Sequence, residues 1–426
     1  MSIFRSLRSR SALPLVAGLS VLVLGAPAWG QEAEGPRYLR VVEEEGKSIR
    51  LEVAARRFER AEGEGPEVCL VSVAHIGDRG LYRSLQKLLD GFDVVLYESV
   101  KPAGAARPGG KTDEERIAST RASLQFIAGV VESNRHHKQA VPATLDELRQ
   151  SIESIDPRLS EWTALASIDA WGTAVLYARD TDGGYSIRSL GADGKEGGEG
   201  ANADLIVTGK DGVAALASSK DDGLQAQLAK ALNLDFQLEA MDYGRPHYRC
   251  SDMTMDQMNR AMKERGVDFM EFGGTLAGTS LPARMVNLLL QAIRLFDAMA
   301  DGMMSDMVKV VMIEVLGNES ITEGALNQQF GRGFGEVIVG ERNQVVMDDL
   351  AELLKNEPDV RSVAIFYGAA HMKDFEERLA KQLGYAPTTV EWISAIEVDL
   401  ANSAVDPAQL ASIRRMMKSQ LRNMTR

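Results

Sequence analysis

The chain has 426 residues, with 48 Lys and Arg against 61 Asp and Glu, for a formal net charge of −13. An acidic average of this kind argues against a nucleic-acid partner, which needs a concentrated basic face, and suits a protein that takes up cations. Two cysteines, Cys69 and Cys250, make no disulfide framework, although one bridge between them stays open.

Arg5, Arg8 and Arg10 precede an apolar run from Ala12 to Ala28 that closes on small residues at Ala28 and Gly30. This is the pattern of a secretory signal peptide over residues 1–30, cut before Gln31. A retained anchor fits less well, because Gly18, Gly25 and Pro27 break a run already short of the roughly 20 apolar residues that a span needs. From Met285 to Met304 the polar residues Asn287, Gln291, Arg294, Asp297 and Asp301 recur at helical spacing, so no stable membrane span is expected after cleavage. The expected location is periplasmic or extracellular. Roughly 390 mature residues exceed what one core organises, so two domains are expected.

Residues 35–60 alternate weakly and predict an opening hairpin. Val68 to Ala74 is a short apolar run, Asp78 to Leu89 has helical periodicity, and Phe92 to Tyr97 is a second apolar run. Strand, helix, strand is a βαβ unit, which implies a parallel pair buried on both faces. The C-terminal half repeats the pattern: helix from Asn343 to Lys355, strand from Val360 to Tyr367, helix from Lys373 to Leu383, and a strand near Thr388 to Ile396. The first strand of each unit runs out into a histidine, His75 and His371, where ligand sites of parallel α/β sheets form.

Between these halves, after a Pro/Gly-rich linker over residues 101–113, lies a stretch of different character over 114–212. It holds a helix from Glu114 to Asn134, aromatic strands near Ala174 to Ala178 and Tyr185 to Ser189, and a glycine-rich acidic loop from Gly191 to Asp204. Helical patterns resume over 221–234, 253–265 and 282–315, the last a Met-rich stripe with the character of core packing. Residues 398–426 form a helical tail with a basic end, Arg414 to Arg426, read as solvated.

His136 and His137 read as a polar patch on the inserted helix. His75 and His371, with Glu98 closing the second strand, have the composition of a hydrolytic metal site, in which a metal lowers the pKa of bound water and polarises a carbonyl. Glu341 and Arg342 sit where a strand is expected to pass into a helix; Arg342 could steady an oxyanion, or the pair could be a helix-start charge network. The loop Asp242 to Tyr248 could bring His247 to the site or Arg245 to a substrate carboxylate, or be a packed turn.

Together, the two Ala-His strand ends, Glu98 and Glu341-Arg342-Asn343 resemble the TraB/TIKI/GumN group of metal-dependent hydrolases and their erythromycin-esterase-like relatives, over residues 38–100 and 215–397. The resemblance implies a pseudo-twofold parallel-sheet α/β domain in two halves, 31–100 and 213–397. It implies a divalent transition metal of the Mn, Co or Zn class on His75, His371 and Glu98. Arg342 would support catalysis on a peptide or small-molecule substrate, and the loop reading adds His247 to the catalytic set. Ser72 departs from the group's Gly-x-x-His motif, which puts activity in doubt, and relatives that handle haem or iron leave a haem pocket as an alternative.

The insert resembles something else. Asp169-Ala170-Trp171-Gly172, Tyr185 and the run from Ser189 to Asp204 are similar to the C-terminal α+β domain of the type II secretion protein G, the major pseudopilin. The resemblance implies a calcium site on the Leu190 carbonyl, Asp193 and Asp204. Calcium's preference for hard oxygens in a loop that can wrap agrees with it; the competing reading is a disordered acidic linker. The expected function is an exported metal-dependent hydrolase of peptidase or esterase class carrying a calcium-binding domain. The alternative is a non-enzymatic binding or assembly protein whose partner is secretion machinery or a surface protein.

Overall fold

The structure, a computed structural model, describes residues 37–209, 232, 234–267, 303–317, 332–403, 406, 410, 414 and 415. The expected signal segment, most of the helix over 221–234, residues 282–302 and most of the basic tail lie outside the described residues. No described helix is long and apolar enough to cross a membrane. The chain divides into two compact units, one from Met1–Leu96, Asp221–Asp242 and Met262–Arg426, the other from Tyr97–Lys220 and Tyr243–Ala261.

In the first unit, the expected hairpin forms from β1 (Leu39–Glu44) and β2 (Ser48–Arg60), with Gly46 taking the left-handed backbone (φ 69°) that its three-residue turn demands. β3 (Glu67–Val73) runs antiparallel to β2. After it come the short strand β4 (Ile76–Gly77), helix α1 (Arg79–Leu89) and β5 (Val94–Tyr97).

The C-terminal part of the unit supplies a helix (Arg342–Asn356), a strand (Ser362–Gly368), a second helix (Met372–Leu383) and a long strand (Tyr385–Asp399). All four expected elements are there, but they are not a second copy of the first βαβ. The 362–368 strand inserts between β3 and β5, parallel to β3 with Gly368 opposite Val73. The 385–399 strand runs antiparallel to β2. The sheet is therefore mixed, with a parallel pair at its centre, and β3 and β5 are not direct neighbours.

The central strands are buried on both faces, which explains their unbroken apolar runs. Phe58, Leu70, Ile365 and Tyr367 share one core with Leu350 and Phe375 from the two helices. Ser72, fully buried in β3, donates its hydroxyl to the Tyr38 carbonyl at 3.1 Å. The residue that breaks the glycine pattern thus has a packing role of its own.

In the second unit, helix α2 (Asp113–Lys138) starts at a capping box of Thr112 and Glu115 and ends on basic residues that suit its dipole, His136 and His137 among them. Helices α3 (Leu145–Glu153) and α4 (Pro157–Ala166) follow, then an antiparallel sheet of β6 (Leu176–Arg179), β7 (Tyr185–Ser189) and β8 (Leu205–Thr208). The segment read as a linker is packed on α2: the Gly104 carbonyl accepts from Ser123 Oγ at 3.0 Å, and Lys101 is buried.

Candidate functional site

Two places gather the residues singled out in the sequence. In the first unit, β3 and the 362–368 strand end side by side, so His75 and His371 both leave the carboxyl edge of the sheet's parallel pair. His75 Nδ1 lies 2.7 Å from Gln237 Oε1, and the His75 carbonyl accepts from the Gln237 backbone N–H at 2.9 Å. His371, only 4% exposed, has Nδ1 at 2.6 Å from Asn343 Oδ1. An amide oxygen only accepts, and the Asn343 amide is oriented by two acceptors at its Nδ2, so His371 carries its proton on Nδ1 and presents a lone pair at Nε2.

At His371 that lone pair faces Arg342 Nη1 at 3.4 Å, and the guanidinium also lies over the Tyr367 ring at 5.8 Å. Arg342 is 6% exposed. Glu341 turns the other way and pairs with Arg265. The Glu-Arg step follows a π-helical turn over Glu336–Glu341, not a strand, and this sends one charge outward and the next inward. A divalent ion at His371 Nε2 would sit against a guanidinium, so the donors around His371 do not fit a bound cation. Among the described residues no group of three or more His, Cys, Asp or Glu could hold a metal ion. Glu98 and His247 belong to the second unit. There His247 packs on Tyr248 with ring centroids 4.9 Å apart, and its buried Nε2 has no hydrogen-bond partner.

In the second unit the glycine-rich loop is closed and ordered. Its root is Asp169, which is buried and accepts from Trp171 N, Thr173 N and Ser189 Oγ, at 3.0, 2.8 and 2.7 Å. Gly191, at φ 67°, lies so close to the 3₁₀ turn Gly200–Asn202 that a Cβ would stand 2.7 Å from the Ala201 carbonyl oxygen. The Ala192 N–H donates to that oxygen at 2.9 Å. The segment bearing Leu190 and Asp193 is thereby laid against the segment that leads to Asp204.

Asp193 Oδ1 accepts from Lys195 N at 3.1 Å and Asp204 Oδ1 from Gly197 N at 3.2 Å. Asp204 Oδ2 has Arg188 Nη1 at 3.8 Å. Arg188 stands beside one of these carboxylates as a competing cation, and the hard oxygens on the closed loop are of the kind that takes a calcium ion. Leu190, Asp193 and Asp204 are the residues that would hold it. Asp169 was read in the sequence only as the start of the Asp-Ala-Trp-Gly motif, without its role at the loop's root, and Arg188 was not singled out, having no signal beyond its place beside the loop motif.

Residues 109–208 match the family model described as Type II secretion system (T2SS), protein G. This stretch is a protein G-like domain. The type II secretion system core protein G of Pseudomonas aeruginosa is 28% identical over 119 residues, which cover 26% of this chain and 81% of that protein. No solved structure matches the chain. The protein G-like domain therefore accounts for α2 to β8 and the loop.

Proposed function

We propose that the chain is a secretion-associated binding protein of the cell envelope, in which the protein G-like domain is a calcium-stabilised docking module for the secretion machinery. The observation that carries this reading is the match over residues 109–208, supported by the closed loop that sets the Leu190–Asp193 segment against the 201–204 segment. The location that goes with it is periplasmic or extracellular. The test is export of type II substrates from cells expressing the full chain, the chain lacking residues 109–208, or a chain with Asp193→Asn and Asp204→Asn. The reading expects the deletion to impair export and the double variant to do so in part. Unchanged export in both would end it.

Hydrolysis is the second reading, and one observation favours it: His75 and His371 leave adjacent strand ends, with Arg342 beside His371. The Arg342 guanidinium can hold a carbonyl or carboxylate oxygen, while the Nε2 lone pair of His371 can accept a proton. Release of product from generic ester and peptide substrates, with and without divalent metal, by the native chain and by His371→Ala is the assay. No turnover in any condition would remove this reading.

A further inference from the structure

Arg188 stands at the centre of the three-stranded sheet, opposite Leu176 on one side and Ile206 on the other, so these three residues form one row on the outward face. Leu176 and Ile206 are exposed there. The guanidinium bends away from its two aliphatic neighbours to the glycine-rich loop, where Nη1 is 3.2 Å from Glu196 Oε1 and 3.8 Å from Asp204 Oδ2. The Asp204 side chain is only 15% exposed, against 79% for Glu196. The arginine therefore neutralises the carboxylate that water reaches least.

That carboxylate is also in the calcium set. A guanidinium within ion-pair distance of Asp204 Oδ2 and a divalent cation on the same oxygen repel one another, so the two occupants compete. Glu196 offers Arg188 a place to remain when Asp204 is taken: it is next to the guanidinium, exposed and outside the proposed ligand set.

We infer that Arg188 is an internal counter-ion for the calcium loop: anchored by its hydrogen bond to Glu196, it stands within ion-pair distance of Asp204 when calcium is scarce and draws back onto Glu196 when the ion binds. Two consequences follow from the same geometry. The loop keeps its fold at low calcium, because its least hydrated carboxylate is never left unpaired. Calcium affinity is lower than the oxygen donors alone would give, because each ion must displace a cation. The inference rests on the calcium reading of the loop.

The experiment is calorimetric titration of calcium chloride into the full chain and into its Arg188→Gln, Arg188→Lys and Asp204→Asn variants, with thermal unfolding of each in chelator. The expected result is saturable binding by the native chain, affinity higher by on the order of tenfold in Arg188→Gln, an intermediate affinity in Arg188→Lys, and no binding in Asp204→Asn. In chelator, Arg188→Gln should unfold several degrees below the native chain. Binding by Arg188→Gln alone, with the native chain silent, also supports the counter-ion. Equal affinity in the native chain and Arg188→Gln overturns it while leaving the calcium reading intact. No binding by either chain overturns the calcium reading and the inference with it. Should Arg188→Gln fail to fold, the neutral Arg188→Met decides: calcium affinity and unfolding temperature in chelator both equal to native would overturn the role.

Discussion

Asn343 Oδ1 lies 2.6 Å from His371 Nδ1, and the same amide donates through Nδ2 to the His371 carbonyl at 3.0 Å and to Asp374 Oδ2 at 2.8 Å. With both Nδ2 partners acceptors, the amide has one workable orientation, so Asn343 fixes the tautomer of His371. Asn343 is fully buried. Asn343→Ala removes all three bonds and leaves the imidazole N–H without its acceptor. The expected cost is about 4 kcal/mol, from roughly 1 kcal/mol for each of the three bonds plus the unpaired group. Urea unfolding of the native and variant chains measures it; a loss under about 1 kcal/mol would mean that water replaces the amide.

Much of this neighbourhood was legible, because long apolar runs and helical periodicity report burial directly. Val68 to Ala74 and Val360 to Tyr367 became the central strands. Pairing was not legible. Nothing local to Ser362–Gly368 says that it will insert between two N-terminal strands, since strand order is settled by long-range packing. Helices α3 and α4 did carry start signals, Thr144 with Glu147 and Asp156 before Pro157, and α3 has Leu145, Leu148 and Ile152 at helical spacing, so their short length, not a missing signal, left them unread. Arg342 was legible as a residue of interest, whereas its partner depends on the π-helical turn, which sequence does not announce.

Asp78 gives a stability that falls as pH rises. Burial raises its carboxyl pKa, a rise that the backbone N–H of Glu397 and the charge of Lys309 only partly oppose. A raised folded pKa means that the folded chain holds the proton more tightly than the unfolded one. This contribution is complete below the usual carboxylate value and is lost as pH climbs from about 4 through the folded value. Asp78→Asn keeps an acceptor for Glu397 N and removes the titration. Urea midpoints measured from pH 4 to pH 7 should fall less with pH in the variant than in the native chain; parallel curves would count against the assignment.

Glu52 acts in the opposite sense. Burial would raise its pKa, but hydrogen bonds from Arg50 at 2.8 Å and Arg40 at 2.6 Å outweigh burial and leave it lowered. The stabilisation is present above the usual carboxylate value and disappears as pH drops through the depressed one. Its side chain is 9% exposed, while both arginines reach solvent, so Glu52→Gln should cost about 2 kcal/mol at pH 7, less than a fully buried pair. The difference between native and variant should shrink in acid. A difference independent of pH would point to packing instead of charge.

Cys69 and Cys250 are both free and buried, so the bridge left open by the sequence does not form. Burial pushes each thiol up to about 12, and Cys250 Sγ donates to the Ser99 carbonyl at 3.1 Å. The thiolate is the reactive form, so an aromatic disulfide reagent at pH 8 should label neither cysteine in the native chain and both after denaturation. Rapid labelling of one in the native chain would mean that its unit opens on the timescale of the reagent.

Gly191 offers the sharpest test of the loop, because its demand is steric and needs no ion. Its φ of 67° is strained for any residue with a Cβ, and a Cβ there would meet the Ala201 and Ala203 carbonyl oxygens at 2.7 and 2.9 Å. Both contacts are with backbone, so neither neighbour can swing aside. Left-handed strain alone costs about 1 kcal/mol, and forcing the two segments apart adds to it. Gly191→Ala should therefore lower the unfolding midpoint even in chelator and weaken calcium binding by separating Asp204 from the Leu190–Asp193 segment. Gly194→Ala is the control: its φ of 63° is equally left-handed, but nothing lies within 4 Å of a Cβ there. It should show the strain alone and keep most of its calcium response. Equal losses in the two variants would reduce the effect to backbone conformation and remove the closure of the loop from the account of calcium binding.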